Sequence, residues 1–161
     1  MIKWAFQALP EKDRFGLLFE NVEGSELSLC TGALGASRAS YALALDCEPD
    51  QINPRWEEAL VNPLKPAIVE KAACQEVVLM GDEAKLSDLP VPTWTPGKDP
   101  APYITTTVMT KLVDSDNQNS GVYRTLVRDD HHVVVNMNPR RGGNDQCETW
   151  WSQGKAAPVA W

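Results

Sequence analysis

The chain has 161 residues, of which 43% are hydrophobic and 23% are charged, a balance typical of a globular protein that can bury a core. Its net charge of −7 argues against a nucleic-acid partner, because the summed field repels a phosphate backbone. No apolar run approaches the ~18 residues of a membrane-spanning helix. The N-terminus also lacks the apolar core of a signal peptide, so we expect a cytoplasmic protein without a membrane partner.

Short strands and helices are predicted in the N-terminal part of the chain. Apolar and charged residues from Trp4 onward predict a short helical start, which is followed by a strand over about residues 15–22. A second strand is expected from Glu26 to Cys30. Helical spacing and many small residues predict a helix from Gly32 to Leu45. Asn53-Pro54 then predicts a second helix with Asn53 as its N-cap.

A proline-rich stretch divides the predicted elements into two groups. Before it, the apolar run from Cys74 to Met80 predicts a buried strand. Residues 86–102 carry five prolines, a density that excludes both a helix and a central strand. We therefore expect a stiff linker, with an N-terminal α/β domain at residues 1–100 and a β-rich domain at residues 101–161.

The β-rich part is predicted to contain a strand and a hairpin. Threonine and valine predict one strand from Tyr103 to Val113. Alternation from Val122 to Arg128 predicts the first strand of the hairpin, and His132 to Asn136 is its returning strand. The turn between them holds His131 and His132, the only two histidines, which we expect to face solvent.

A last helix is predicted from about Asp145 to Gln153. Asp145 and Glu148 have the spacing of a capping box, which marks a helix start. The helix carries Trp150 and Trp151, and the few predicted strands are too small to bury both side chains. An exposed aromatic surface on so short a chain indicates a missing partner.

The cysteines do not predict a metal site or a disulfide framework. The chain has four cysteines, widely spread and without a Cys-x-x-Cys pair. We therefore expect free thiols at Cys30, Cys47, Cys74 and Cys147.

Polar groups suited to an anion lie at both ends of the hairpin. Asn119 precedes its first strand and Arg124 lies in that strand, while Arg140 and Arg141 follow the second strand. Guanidinium groups and exposed backbone amides both match phosphate oxygens. The pattern alone leaves two interpretations open, a phosphate site or an ordinary hairpin with a solvated arginine pair.

The same segment carries a family resemblance. Asn119-Ser-Gly-Val-Tyr-Arg124, followed by a hairpin and by Arg141-Gly-Gly143, resembles the prenylated-FMN site of the UbiD family of reversible decarboxylases. Further similar motifs, in the family's order, extend the resemblance over roughly residues 60–161. They are Pro66-Ala-Ile-Val-Glu70, Cys74-Gln-Glu-Val-Val-Leu-Met-Gly-Asp82, Leu89-Pro-Val-Pro92 and Tyr103-Ile-Thr-Thr106. The resemblance implies an α+β fold, in which an N-terminal α/β portion precedes the first strands of a UbiD-type split β-barrel.

The resemblance also implies roles for individual residues. Arg124 is the implied catalytic residue, because a guanidinium can orient a substrate carboxylate. Asn119 is an implied ligand of a divalent metal, Mn²⁺ by resemblance, and K⁺ is a further candidate ion. The residues implied to contact prenylated FMN are Asn119, Val122, Tyr123, Arg124, Asn136, Met137, Asn138, Arg140, Arg141 and Gly142.

Two departures from the family pattern affect what the resemblance implies. Arg140 stands where many relatives have a metal-binding histidine, and a guanidinium has no free lone pair for a metal. We expect Arg140 to pair with the cofactor phosphate instead. The chain is also much shorter than family members, in which later segments supply an acidic metal ligand and the proton donor.

The implied function is a subunit or fragment of a UbiD-like carboxy-lyase. Its reaction would be the reversible, non-oxidative decarboxylation of an aromatic or α,β-unsaturated acid. A second polypeptide would carry the remaining domains, and the assembly would be an oligomer. Two alternatives stay open: a non-catalytic partner subunit of such an enzyme, and a plain FMN-binding split-barrel protein.

Overall fold

The computed structural model describes residues 6–161, which divide between Leu79 and Met80 into two compact units. The predicted helical start at Trp4 lies outside the described residues, although residues 6–8 are helical. No helix in the described part of the chain is long and apolar enough to cross a bilayer.

The first unit contains a two-stranded sheet and two helices. Its regular elements are β1 at Leu17–Phe19, β2 at Leu29–Thr31, α1 at Arg38–Ala44 and α2 at Ile52–Val61. β1 and β2 pair antiparallel. The hydroxyl oxygen of Ser37 caps α1 by accepting a hydrogen bond from the Ser40 N–H at 3.3 Å. The first two predicted strands and both predicted helices are thus confirmed, with shorter bounds for the strands and α1.

Two predictions for this part of the chain are wrong in detail. Asn53 is not the N-cap of α2, because the chain enters the helix earlier through a turn in which Gln51 N–H bonds Glu48 O at 2.9 Å. The predicted buried strand from Cys74 to Met80 is absent. A short 3₁₀ turn at Ala73–Gln75 replaces its start, and the apolar side chains that follow are exposed. The run has strand composition, but no described strand pairs with it.

Two three-stranded antiparallel sheets form the second unit. The strands are β3 at Tyr103–Ile104, β4 at Thr107–Lys111, β5 at Gln118–Val122, β6 at Thr125–Val127, β7 at Val133–Val135 and β8 at Val159–Ala160. One sheet has the order β3-β6-β7 and the other has the order β5-β4-β8. The β6–β7 pair confirms the predicted hairpin, with narrower bounds. Neither sheet closes into a barrel within the described residues.

The single strand predicted from Tyr103 to Val113 is instead β3 and β4, in different sheets. Ile104 pairs with Thr125, and Thr107 pairs with Val122, so the register is the same on both sides of the break. The two sheets are therefore successive parts of one interrupted ribbon. Tyr123 and Arg124 lie at the interruption, where the ladder hydrogen bonds stop.

Helix α3, Gly142–Trp151, packs on β4 and β5. Val108 of β4 is fully buried, and Cys147 of α3 is 3% exposed. Polar side chains join the same two layers. Thr110 donates its hydroxyl hydrogen to Gln146 Oε1 at 2.8 Å, and Trp150 Nε1 donates to Lys111 O at 2.7 Å. The position of α3 on the sheet is thus fixed by directional bonds as well as by apolar packing.

The predicted start of α3 is wrong by three residues. The helix begins at Gly142 after Arg141, so Asp145 lies inside the first turn and cannot cap it. Glu148 does not complete a capping box either, because its Oε1 accepts a hydrogen bond from Asn144 Nδ2 at 2.7 Å. As expected, the two tryptophans are not both buried, and Trp151 is 54% exposed.

Candidate functional site

The end of the β5 segment contacts the start of α3 through Tyr123. The Tyr123 hydroxyl accepts a hydrogen bond from the backbone N–H of Gly143 at 3.0 Å. It also accepts a longer bond from Asn119 Nδ2, at 3.4 Å. Asn119 and Tyr123 are both half-buried, so each keeps some access to solvent. The structure therefore brings together Asn119 of β5, Tyr123 directly after that strand, and the residues that open α3.

Three glycines make this contact possible. A Cβ atom at Gly143 would lie 2.7 Å from the Tyr123 hydroxyl oxygen, and one at Gly121 would lie 2.7 Å from ring atom Cε2 of the same tyrosine. A Cβ atom at Gly142 would overlap Asn119 Oδ1. Real Cβ atoms essentially never approach below 3.0 Å. Asn119, Gly121, Tyr123, Gly142 and Gly143 thus form one packed unit, which we call the glycine clamp.

Two arginines stand beside the glycine clamp with unused side chains. Arg140 and Arg141 are exposed, and neither guanidinium makes a hydrogen bond or an ion pair with any described residue. Arg140 has φ +61°, a left-handed conformation that a non-glycine residue adopts at some energetic cost. Arg141 is the N-cap of α3, and the positive end of the helix dipole lies there. This arrangement can bind an anionic group.

Arg124, the predicted catalytic residue, is held on the other side of the strand interruption. Its Nη2 donates to Asp99 Oδ1 at 2.9 Å, and its Cζ lies 4.2 Å from the centroid of the Tyr103 ring. The Arg124 side chain is 52% exposed, whereas that of Asp99 is 10% exposed. The hydrogen bond from Arg124 is the main cause that lowers the pKa of Asp99 below its ordinary value of 3.8. Arg124 can therefore receive a second anion from the solvent side.

The other predicted site residues are mostly at the surface. Val122 is 70% exposed, Asn136 and Asn138 are exposed, and Met137 is half-buried. Asn136 N–H bonds Arg124 O at 3.0 Å, which places the end of the β7 segment beside Arg124. Among the described residues, no side-chain hydrogen bond joins this region to the glycine clamp.

Sequence reasoning missed Asp99 and Tyr103 as neighbours of Arg124. Asp99 lies near the end of the proline-rich stretch and Tyr103 directly after it, and the prolines of that stretch predict only a linker. The sequence carries only a slight sign of this contact, namely that the acidic residue Asp99 precedes a strand region containing Arg124, which has no evident partner nearby in sequence.

The described residues do not contain a complete metal site. No cluster of three or more His, Cys, Asp or Glu side chains that could hold a metal occurs among them. All four cysteines are free thiols. His132 faces Asp129 instead, with 2.7 Å between Nδ1 and Oδ1, in the exposed hairpin turn. Asn119 Oδ1 is a hard oxygen ligand, and it accepts no hydrogen bond from the described residues. It can therefore supply one ligand to a metal.

A cleft of about 550 Å³ lies elsewhere in the second unit. Its wall is mainly apolar and includes Leu86, Leu89, Val91, Ile104 and Trp161. None of the sequence-predicted site residues lines this cleft. The glycine clamp and Arg124 therefore belong to a different surface from the apolar cleft.

A family model supports the sequence resemblance. The model described as "UbiD: 3-octaprenyl-4-hydroxybenzoate carboxy-lyase Rift-related domain" matches residues 67–161, more than half of the chain. The match includes the glycine clamp, Arg124 and the strands that position them.

Solved structures of UbiD-class enzymes resemble the chain closely. An evolved dimeric form of HmfF from Pelotomaculum thermopropionicum, in complex with prFMN, has a TM-score of 0.82 and 25% identity, over 94% of this chain and 36% of that one. The 3,4-dihydroxybenzoic acid decarboxylase from Enterobacter cloacae has a TM-score of 0.76 and 27% identity, over 89% of this chain and 31% of that one.

A third match is the vanillic acid decarboxylase of Sedimentibacter hydroxybenzoicus in its closed form, ShVdcCD. It has a TM-score of 0.80 and 25% identity, over 98% of this chain and 36% of that one. The chain thus spans about a third of the length of each of these three relatives.

Proposed function

This chain belongs to the UbiD family, and from that premise we propose that it forms part of a UbiD-type carboxy-lyase. The reaction is the reversible, non-oxidative decarboxylation of an aromatic or α,β-unsaturated carboxylic acid. The observation that carries the proposal is the glycine clamp, which joins two separate motifs beside two unused guanidinium groups. A hairpin with no ligand to bind does not need two glycines closed on Tyr123 and a third closed on Asn119.

The residues fit the phosphate of a flavin mononucleotide. Arg140 and Arg141 have no described partner, and they stand at the positive end of α3. We assign the cofactor as prenylated FMN, because the HmfF relative is in complex with prFMN. When bound, this cofactor supplies an electron sink for the carbon that loses CO₂. We propose that the flavin contacts the residues predicted from the sequence. They are Asn119, Val122, Tyr123, Arg124, Asn136, Met137, Asn138, Arg140, Arg141 and Gly142.

Arg124 binds and orients the substrate carboxylate. Only one of its N–H groups is used by Asp99, so the guanidinium can still form two parallel hydrogen bonds to a second carboxylate. Holding the carboxylate in one orientation contributes to rate because the bond to be broken is aligned before the reaction. Arg124 is therefore the proposed catalytic residue of this chain.

Asn119 supplies one oxygen ligand to a divalent metal, with Mn²⁺ as the first choice and K⁺ as a further ion in the site. A hard cation needs more oxygen ligands than this one carboxamide provides. The described residues hold no cluster of His, Cys, Asp or Glu that could hold a metal, so other ligands, the cofactor phosphate among them, would have to complete the site.

The rest of the enzyme comes from further UbiD-type sequence, on a second polypeptide in our proposal. The chain spans about a third of its structural relatives, and a structure of the Sedimentibacter enzyme contains a separately designated ShVdcD. The two open sheets of the second unit are, in this proposal, the first strands of a split β-barrel in domain 101–161. Closing that barrel would cover strand edges that otherwise stay unpaired.

A non-catalytic partner subunit is the second candidate function. Arg140 in place of a metal-binding histidine favours it, as does the lack of a metal-binding cluster among the described residues. In that case the chain would complete an active polypeptide without contacting the reacting carboxylate.

Variants of the assembled protein test the two candidates. We expect the wild type to copurify with a flavin of prenylated mass and to release CO₂ from an aromatic acid in a panel of benzoic, hydroxybenzoic and cinnamic acids. Asn119→Ala should lose metal, measured by elemental analysis, and should retain less flavin. Arg124→Ala should keep the flavin and lose turnover.

Two other outcomes would favour other interpretations. Normal turnover by Arg124→Ala contradicts the catalytic assignment and supports the partner-subunit candidate. Plain FMN without turnover supports the simple flavin-binding alternative.

A further inference from the structure

We infer that Asp99 is a positioning residue, which fixes the Arg124 guanidinium over the Tyr103 ring so that its free N–H groups present one geometry to the carboxylate of an organic acid. The inference deepens the proposed function and rests on it. It assigns a specific task to a residue outside the flavin-contacting set.

Asp99 is fixed by its own segment of chain. Its Oδ2 accepts a hydrogen bond from the Thr95 N–H at 2.8 Å, and Thr95 O accepts one from the Asp99 N–H at 2.9 Å. These reciprocal bonds close a tight turn, and the Asp99 side chain is only 10% exposed. The carboxylate is thus held by the turn, and its second oxygen is the one that receives Arg124.

Tyr103, whose ring lies beneath Arg124, is held by two hydrogen bonds to its backbone. Tyr103 O accepts a hydrogen bond from Trp94 Nε1 at 2.8 Å, and Tyr103 N–H donates to Pro92 O at 3.2 Å. The Arg124 Cζ atom lies 4.2 Å from the ring centroid, a distance at which a guanidinium is attracted to the aromatic face. The ring restrains the guanidinium plane, and Asp99 restrains rotation within that plane.

A restrained arginine has a definite advantage at this position. A free arginine side chain has many rotamers, and binding a carboxylate would then require it to lose that freedom. Asp99 and Tyr103 impose the restraint beforehand. The negative charge of Asp99 also weakens the attraction between Arg124 and a second carboxylate, so the contact favours orientation over binding strength. Loss of Asp99 should therefore lower kcat far more than it raises KM.

Asp99→Asn is the most conservative test. It keeps the size of the side chain but replaces one of the two oxygens with an NH₂ group, which then faces a donor, either Thr95 N–H or Arg124 Nη2. Tyr103→Leu removes the ring without touching the carboxylate, and it provides an independent variant if Asp99→Asn folds poorly. Asp116→Asn is the matched control, because Asp116 pairs with Lys111 Nζ at 3.1 Å on the exposed surface.

The experiment uses the assembled, flavin-loaded protein with rates divided by flavin content. The substrate is the acid that the wild type converts fastest in a panel of benzoic, hydroxybenzoic and cinnamic acids. We expect Asp99→Asn and Tyr103→Leu to lower kcat at least tenfold with KM changed less than threefold, and Asp116→Asn to match the wild type. The second readout is solvent exchange of the Arg124 Nη2 hydrogens by NMR, since Nη2 donates to Asp99, with the signal assigned from its loss in Arg124→Lys. It should be at least tenfold faster in both test variants.

The inference is overturned if either kcat or the exchange rate of both test variants equals that of the wild type. If the wild type converts no acid in the panel, the proposed function fails in its own right. The exchange rate then tests the role of Asp99 independently of turnover. Faster exchange in Asp99→Asn supports the restraint of Arg124 by Asp99, and equal exchange refutes it.

Discussion

The Tyr123 hydroxyl oxygen lies 3.0 Å from the backbone nitrogen of Gly143, which donates a hydrogen bond to it. The two residues are 20 positions apart in sequence, and the whole β6–β7 hairpin lies between them. N–H groups in the first turn of a helix have no partner within the helix, and Tyr123 satisfies one of them. The placement of Arg140 and Arg141 relative to Asn119 therefore depends on one phenol group.

We predict that Tyr123→Phe destabilises the protein and weakens flavin binding. Gly143 is buried, so removing its acceptor leaves an unsatisfied N–H group, at a cost of about 1–3 kcal/mol. Urea unfolding of the assembled protein measures the loss, and a flavin titration measures the affinity. Tyr41→Phe is the control, because the Tyr41 hydroxyl has no hydrogen-bond partner among the described residues. Equal stability of Tyr123→Phe and wild type would show that the bond contributes nothing.

A second prediction concerns the close approach of Gly143 to Tyr123. Gly143→Ala should cost about 1–3 kcal/mol of folding free energy, because the added methyl group forces Tyr123 or the helix start to move. It should also lower flavin content, since that movement shifts both arginines. Gly35→Ala is the matched control, as a Cβ atom there meets nothing within 4 Å and the φ angle is ordinary. Unfolding curves in which both variants match the wild type would contradict the prediction.

The sequence predicted the hairpin well, because alternation and a polar turn determine a local structure. Thr125 on β6 is fully buried and pairs with Val135, in the antiparallel arrangement that the pattern indicates. The start of α3 was predicted less well. Asp145 has the residue type of a cap, but the clamp on Gly143 moves the helix start upstream. A contact between distant residues thus overrides a local signal.

Other features were beyond single-sequence reasoning. Val77 and Met80 lie in a run with strand composition, yet they are 75% and 76% exposed because no described strand pairs with them. The Asp99–Arg124 ion pair joins residues 25 positions apart, and a carboxylate in a proline-rich stretch gives no sign of its partner. Periodicity reports which face of an element is buried but not what lies across from it.

A third prediction follows from the lowered pKa of Asp99. The hydrogen bond from Arg124 is the main cause, so Arg124→Ala should raise the pKa of Asp99 towards the ordinary value of 3.8. Because the pKa is depressed in the folded protein, the stabilisation is present above the ordinary aspartate range. It is lost as the pH falls through the folded-state pKa. Carbon-13 NMR of the Asp99 carboxyl group during an acid titration measures the shift.

Asp130 is the internal control for this titration. Its pKa is also lowered, mainly by a hydrogen bond from Ser87, and Arg124 is not among the causes. In Arg124→Ala the Asp130 carboxyl should titrate as in the wild type. If both carboxyl groups move together, the effect on Asp99 reflects a general change of the fold and the assignment to Arg124 is refuted.

The last prediction concerns Arg140, which by the resemblance to the UbiD family stands where many members have a histidine. In our proposal its guanidinium binds the flavin phosphate, so Arg140→Gln should weaken flavin affinity by about 1.5–3 kcal/mol, the range for a hydrogen bond to a charged group. The effect should shrink at high salt, because an exposed charge pair is screened.

Two further variants of the assembled protein separate phosphate binding from metal binding. Arg128→Gln is the matched control, since Arg128 is an exposed arginine of the hairpin and lies outside the predicted site. Arg140→His offers the metal a nitrogen ligand that a guanidinium cannot provide, and histidine tolerates the positive φ of +61° better than most residues. We expect this variant to bind Mn²⁺ more tightly and flavin less tightly than the wild type. If Arg140→Gln keeps full flavin affinity, Arg140 does not contact the phosphate and this assignment is wrong.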